Sequence, residues 1–249
     1  MAKTSGLGDN LYVGGYDLSG DIQAVDTIHG GPAALDFTDI TLSAMARQGG
    51  VRDGGISATT FFNAATSRAH PVIGALPTAD VGVMYCRGTT LGNGAACCVG
   101  KQIGYDPTRD DAGNLTLKTE VQSNGYGLEW GRLLTAGIRT DTAATNGSSI
   151  DTLASAAFGG QAYLQLFAFS GTDVTIKIQD SANDSTFADV TGLAFTQVTT
   201  GTRQTQRIAI ANTATLRRYV RVATITTGGV TSVSFAVVIN KNSSAGVTF

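Results

Sequence analysis

The chain has 249 residues, of which 14% are charged, with 32 Gly, 4 Pro and a formal net charge of −2. That length holds one or two domains with a sizeable core, and its makeup excludes a highly charged disordered chain. Asp9, Asp17, Asp21, Asp26, Asp36 and Asp39 occur with no Lys or Arg between Lys3 and Arg47, the opposite of the clustered cations that grip phosphate.

Residues 1–16 read as an irregular, Gly-rich arm. Its polar start, MAKTSGLGDN, lacks the apolar segment of a secretory signal. AALDFTDITLSAMARQ reads as a strand followed by a short helical turn. In GGISATTFFNAA, Ile56, Ala58, Thr60 and Phe62 alternate as on a strand. AHPVIGALP reads as a short helix opened by His70 and Pro71 and ended by Pro77, since proline is tolerated in a first turn. DVGVMYC reads as a buried strand. AACCVGKQIGYD and NLTLKTEVQSNG read as strands joined by the turn-rich loop DPTRDDAG. In the second of these, Leu115, Leu117, Thr119 and Val121 share one face. GLEWGRLLTAG adds a strand. Residues 139–152, RTDTAATNGSSIDT, are small and polar without apolar periodicity and read as a linker. The boundary between a domain of residues 1–150 and one of 151–249 is placed there.

Beyond it the β pattern is cleaner. QAYLQLFAF, DVTIKIQD, RQTQRIAIAN, LRRYVRVATI and TSVSFAVVIN are short runs between turn residues. Val174, Ile176 and Ile178 alternate with polar residues, and Val233, Phe235, Val237 and Ile239 form one face. This predicts an antiparallel sandwich. The fold class is therefore all-β with one short helix. The uncharged stretches 152–172 and 222–240 are broken by Gly, Ser, Thr or Gln, so no membrane insertion is expected.

Patterns that would carry chemistry fail in detail. Gly94 to Gly100-Lys101-Gln102 has five residues between its glycines and Gln where a phosphate loop needs Ser or Thr. No Gly-x-Ser-x-Gly elbow accompanies His29 or His70. Cys86, Cys97 and Cys98 are odd in number and form no Cys-x-x-Cys pair, so neither a disulfide framework nor a zinc site is expected. Adjacent Cys97 and Cys98 point to opposite faces of a strand, one into the core and the other outward or to an interface. The loop IQDSANDSTFADV, with Asp180, Asp184 and Asp189, suggests a calcium loop. Counting from Asp180, position six is Ser185 and position twelve is Thr191, where Gly and Glu belong, so the loop reads as a hairpin turn. No catalytic, cofactor or metal residue is assigned, and the chain is not read as an enzyme.

Two resemblances add to this reading. LGDNLYVGGYDLSGDIQAVDTIHGGPAALDFTDI, GGVRDGGISATTFFNAATSRAHPVIGALP and NGYGLEWGRLLTAG resemble the major tail (tail tube) proteins of long-tailed, non-contractile phages, particularly of actinobacterial hosts, over most of residues 5–150. The resemblance implies a β-sandwich tube domain flanked by a helix. It implies hexameric rings whose inner sheets join into one barrel, stacked into a tube inside the virion tail after assembly in the host cytoplasm. Partners would be further copies of the chain, a tape measure and a tail terminator, with DNA passing through unbound. An acidic lumen or interface would draw on Asp9, Asp17, Asp21, Asp26, Asp36 and Asp39. The arm Met1–Asn10 and the segment Asp39–Gly55 would reach between rings.

Secondly, VTIKIQDSANDSTFADVTG followed by RRYVRV is similar to jelly-roll, discoidin-like binding domains, with Phe187 where those often carry Trp. This implies an exterior sandwich whose exposed loop holds Asp180, Asp184 and Phe187. A carbohydrate-binding receptor or fibre protein, and a capsid or decoration protein, are the competing readings.

Overall fold

The structure, a computed structural model, describes residues 5–244. Seventeen strands and one short helix follow in chain order among them. These are β1 (Asn10–Val13), β2 (Tyr16–Asp17), β3 (Ile22–Asp36), β4 (Arg47–Phe61), α1 (Ala69–Ile73), β5 (Val81–Cys86), β6 (Gly94–Gln102), β7 (Asp106–Arg109), β8 (Leu115–Ser123) and β9 (Glu129–Leu133). Then come β10 (Arg139–Asp141), β11 (Ile150–Asp151), β12 (Gly160–Gly171), β13 (Thr175–Ser181), β14 (Ala188–Ala194), β15 (Gln204–Ile210), β16 (Tyr219–Ile225) and β17 (Val230–Lys241). Every strand pairing is antiparallel, so the all-β expectation with one short helix holds.

One sheet runs β15–β12–β17–β9–β6–β5–β1–β2, and β11–β16–β13–β14 form a second. The second sheet packs on one face of β12 and β17. Val174, Ile176 and Ile178 meet Val233, Phe235, Val237 and Ile239 there, as their alternation predicted, and the core takes in Leu134 and Ile150. The opposite face of β12 and β17 is also buried. Tyr163, Phe167, Ala236 and Val238 pack with Tyr12, Met84, Cys97 and Leu133. The long sheet therefore curls until β15 and β12 approach β5 and β1. A third core lies on the far side of β1, β5 and β6, where Leu11, Val83 and Cys98 meet Ile56, Leu117 and Ile73.

Burial on both faces explains the nearly continuous apolar runs of β12 and β17, which a one-sided sheet would alternate with polar residues. It also corrects the reading of the cysteine pair: Cys97 and Cys98 do face opposite ways, but a core covers each. Burial pushes the Cys86 and Cys98 thiols up to about 12 and raises that of Cys97 as well, so all three are poor nucleophiles.

The curl closes through close backbone contact. A Cβ at Gly82 would lie 2.7 Å from the Thr205 side chain, and one at Gly15, whose φ is +80°, would lie 2.5 Å from the Leu166 carbonyl oxygen. The buried Gln165 stitches the seam: its Oε1 accepts from the Gly15 N–H at 2.8 Å and its Nε2 donates to the Gly82 carbonyl at 2.9 Å.

Several local expectations are corrected. The arm of residues 1–16 contains β1 and the start of β2; β1 pairs with β2 on one side and with β5 on the other. The arm's first four residues lie outside the described ones. No helical turn follows β3; residues 37–46 form the tip of a long β3–β4 hairpin. Part of the loop DPTRDDAG is strand β7, paired with β8. The segment read as a linker holds β10 and β11, which pair with β17 and β16, so its polar residues are tied down by ladder hydrogen bonds. The short helix forms at His70 and Pro71 but ends at Ile73, before Pro77 is reached.

Candidate assembly surface

Strands β3, β4 and β8 form a sheet extended by β7, in the order β3–β4–β8–β7, with β8 also touching β6 at its other end. Among the described residues, β3 pairs only with β4, and β7 only with β8. Two outer edges are therefore open, one of 15 residues and one of 4. Such edges present unpaired N–H and C=O groups in a row, a template for another strand.

The two faces of this sheet differ. Ile56, Ala58, Leu117 and Val121 point into the core. Register places Thr27 beside Ser57 and Glu120, and Thr59 beside Lys118, which in turn faces Asp106. These side chains form the polar face. The hydroxyls of Thr27 and Ser57 lie 2.7 Å apart, and the Thr59 hydroxyl donates to Asp26 at 2.9 Å. Asp26, Asp106 and Glu120 thus oppose Lys118 on a face made mostly of hydroxyls and amides.

The β3–β4 hairpin carries its order at the tip internally. Asp36 accepts from the N–H and hydroxyl of Thr38, and Asp39 from those of Thr41. These hydrogen bonds hold both carboxyls below the usual range. The turn is locally determined, because an Asp side chain readily hydrogen-bonds the backbone two residues on. It leaves Ile40 fully exposed, and Phe37, Leu42 and Met45 about half exposed.

The acids singled out in the sequence do not form one cluster. Asp9 accepts from the Tyr85 hydroxyl and pairs with Arg87 at 3.3 Å. Asp17 accepts from the Ser19 N–H and hydroxyl. Asp21 is buried, and accepts from the Ala69 N–H and Asn63 Nδ2, pinning α1 to the sheet. Asp26 lies on the polar face, and Asp36 and Asp39 at the hairpin tip.

In the second half, residues 182–187 do form the turn between β13 and β14, with Asp184 at φ +60°. Asp180 is buried in β13 rather than displayed, and accepts from the Arg217 N–H at 2.8 Å. Asp184 accepts from the Ser149 hydroxyl, and Phe187 lies beneath the Arg221 guanidinium, 4.0 Å from its ring centroid. Among the described residues no group of three or more His, Cys, Asp or Glu is placed to hold a metal ion.

The pairing of Glu129, Tyr163 and Arg207 has no counterpart in the sequence reading. Glu129 accepts from the Tyr163 hydroxyl and from Arg207 at 3.1 Å, while Arg207 also donates to the Tyr163 oxygen at 3.0 Å. Both charges are almost fully buried. Burial, and then the Glu129 charge, raise the Tyr163 pKa above its ordinary value, so it stays a phenol and donates. Burial opposes the Arg207 charge, but Tyr163 and Glu129 outweigh it. The three side chains sit 34 and 44 positions apart along the chain. The one available signal was a lone acid in the apolar run GLEWGRLL.

A groove of about 640 Å³ opens beside β9 and the end of β17, lined by Trp130, Arg132, Ala154, Ala157, Phe158 and Lys241 among others. Trp130 is half exposed there.

A scan against protein-family models finds no match, and a search of curated proteins finds none. Among solved structures, the chain is similar to one from the tail of an empty GTA particle with C6 symmetry, at 15% identity and a TM-score of 0.40, covering 51% of this chain and 97% of that one. It is also similar to the SPP1 Dit protein, described as a hub of the adsorption apparatus, at 11% identity and a TM-score of 0.35, covering 94% and 99% of the two chains. A chain of the activated phage p2 baseplate gives 8% identity and a TM-score of 0.34, covering 94% and 98%. Identities and overlaps at this level carry no function across.

Proposed function

We propose that this chain is the structural subunit of a phage tail tube, assembling into rings that stack into a conduit for DNA ejection. The observation that carries the reading is the β3–β4–β8–β7 sheet, with an open edge on each side, one face sealed by core and the other polar. An open 15-residue edge is a hazard in an isolated monomer. If the β3 edge of one copy meets the β7 edge of the next, the contact is heterologous, and rotation closes it into a ring. The polar face then lines the lumen, with few cations to hold passing phosphate.

On this reading the rings are hexameric, as the sequence resemblance implies. Residues 1–150 supply the tube domain and residues 151–249 the exterior sandwich. The protruding hairpin and the N-terminal arm join one ring to the next. A tape measure and a tail terminator are the further partners, in a virion assembled in the host cytoplasm. No catalytic role is assigned.

Negative-stain microscopy of the purified chain at increasing concentration tests the proposal. Hollow rods of uniform diameter are expected. A species that stays a small oligomer at every concentration overturns it and favours the receptor reading.

A further inference from the structure

We propose that the apolar tip of the β3–β4 hairpin seats in the groove beside Trp130 on a second copy of the chain. This deepens the tube reading by naming the seat of the contact between rings, and it rests on that reading for the setting in which the contact repeats.

The tip is built as a ligand. Its turn is pre-ordered by the Asp36–Thr38 and Asp39–Thr41 hydrogen bonds and by the Phe37 N–H donating to the Ala46 carbonyl at 2.9 Å. Little conformational freedom remains to be lost on docking. It nevertheless leaves Ile40, Phe37, Leu42 and Met45 in water, an arrangement that marks an interaction surface.

The groove is built as its receptor. Its volume suits several apolar side chains. Trp130, Ala154, Ala157 and Phe158 supply an apolar lining, and a half-exposed Trp is a common interface anchor. Charge selects the partner. Arg132 and Lys241 line the groove and no carboxylate does, while residues 36–46 carry Asp36 and Asp39 and no base. Tip and groove are both open to solvent in one chain, so the contact is made between copies. The same contact repeated by each copy is heterologous and extends in one direction, as a stack of rings requires.

Trp130 is the only tryptophan, so its fluorescence reports on the groove alone. The three native cysteines are buried, so an engineered pair cross-links selectively. Two full-length variants, Ile40→Cys and Ala157→Cys, both at exposed positions, are mixed, concentrated and oxidised. The expected result is a mixed disulfide dimer, joining position 40 of one variant to position 157 of the other, in excess of either like pair. Acrylamide quenching of Trp130 should also fall severalfold on assembly of the wild type, and not with Ile40→Asp. Rods that form without the mixed dimer and with Trp130 still quenched overturn the docking and leave the tube reading standing. A mixed dimer without rods supports the docking and overturns the tube reading. Neither dimer nor rods overturns both.

Discussion

Glu129 and Arg207 show what a single residue costs in this fold. Each is a charge held in a core, and the pair is stable because Tyr163 completes the hydrogen bonding. Replacing only Arg207 by Met leaves the Glu129 carboxylate buried without its cation, which costs about 3–5 kcal/mol. Urea unfolding of Arg207→Met should show a midpoint well below wild type. Adding Glu129→Gln should recover part of the loss, because the orphaned charge goes with it. A wild-type midpoint for the single variant would show that the pair contributes nothing. At the surface, Asp151 makes a bidentate contact with Arg218, at 2.7 and 2.6 Å, and the hydrogen bonds from Arg218 lower its pKa to about 2. A carboxylate with a depressed folded pKa stabilises above its unfolded value, and the contribution disappears as pH falls through the folded one. The window therefore runs from the ordinary value near 3.8 down to about 2. Melting temperatures across that range should fall less for Arg218→Ala than for wild type.

Elements with one covered face were legible, since alternation at Ile56, Ala58 and Thr60 and at Val174, Ile176 and Ile178 is imposed by such a face. Strands buried on both faces were legible as apolar runs, whereas polar strands with no apolar face were not. The outer part of the hairpin, RQGGVRD, has no apolar face because it stands largely in solvent. The polar segments of β10 and β11 are strands only because β17 and β16 offer edges to them. Likewise the curl of the long sheet is set by contacts far apart in sequence. Gly82 makes the argument testable, because β5 meets β15 there with no room for a methyl group. Gly82→Ala forces a Cβ to 2.7 Å from Thr205, and overpacking of this kind costs about 1–3 kcal/mol. Pairing it with Thr205→Gly should restore much of the loss in a thermal melt. Equal melting of Gly82→Ala and wild type would show that the seam yields freely.

For the proposed tube, the deciding question is whether the polar face of the β3–β4–β8–β7 sheet lines the lumen. Lys118 stands among Asp26, Asp106 and Glu120, and Lys101, beside Gln122 on the same face, is paired with Asp80 at 2.8 Å, so a lumen lined by this face grips phosphate weakly. Changing those three acids to Lys, at solvent-facing positions, converts the same surface into a phosphate grip with strong salt dependence. Rods assembled around a short DNA duplex at low salt should then sediment with the duplex inside and protect it from nuclease, while wild-type rods leave it in the supernatant. Raising the salt should release it from the variant. A duplex that sediments but is still digested would place the face on the outside of the rod. One that never sediments with the variant would remove the face from the path of DNA. Either result refutes the lumen assignment without touching the case for rings, because both are read on rods that have already formed.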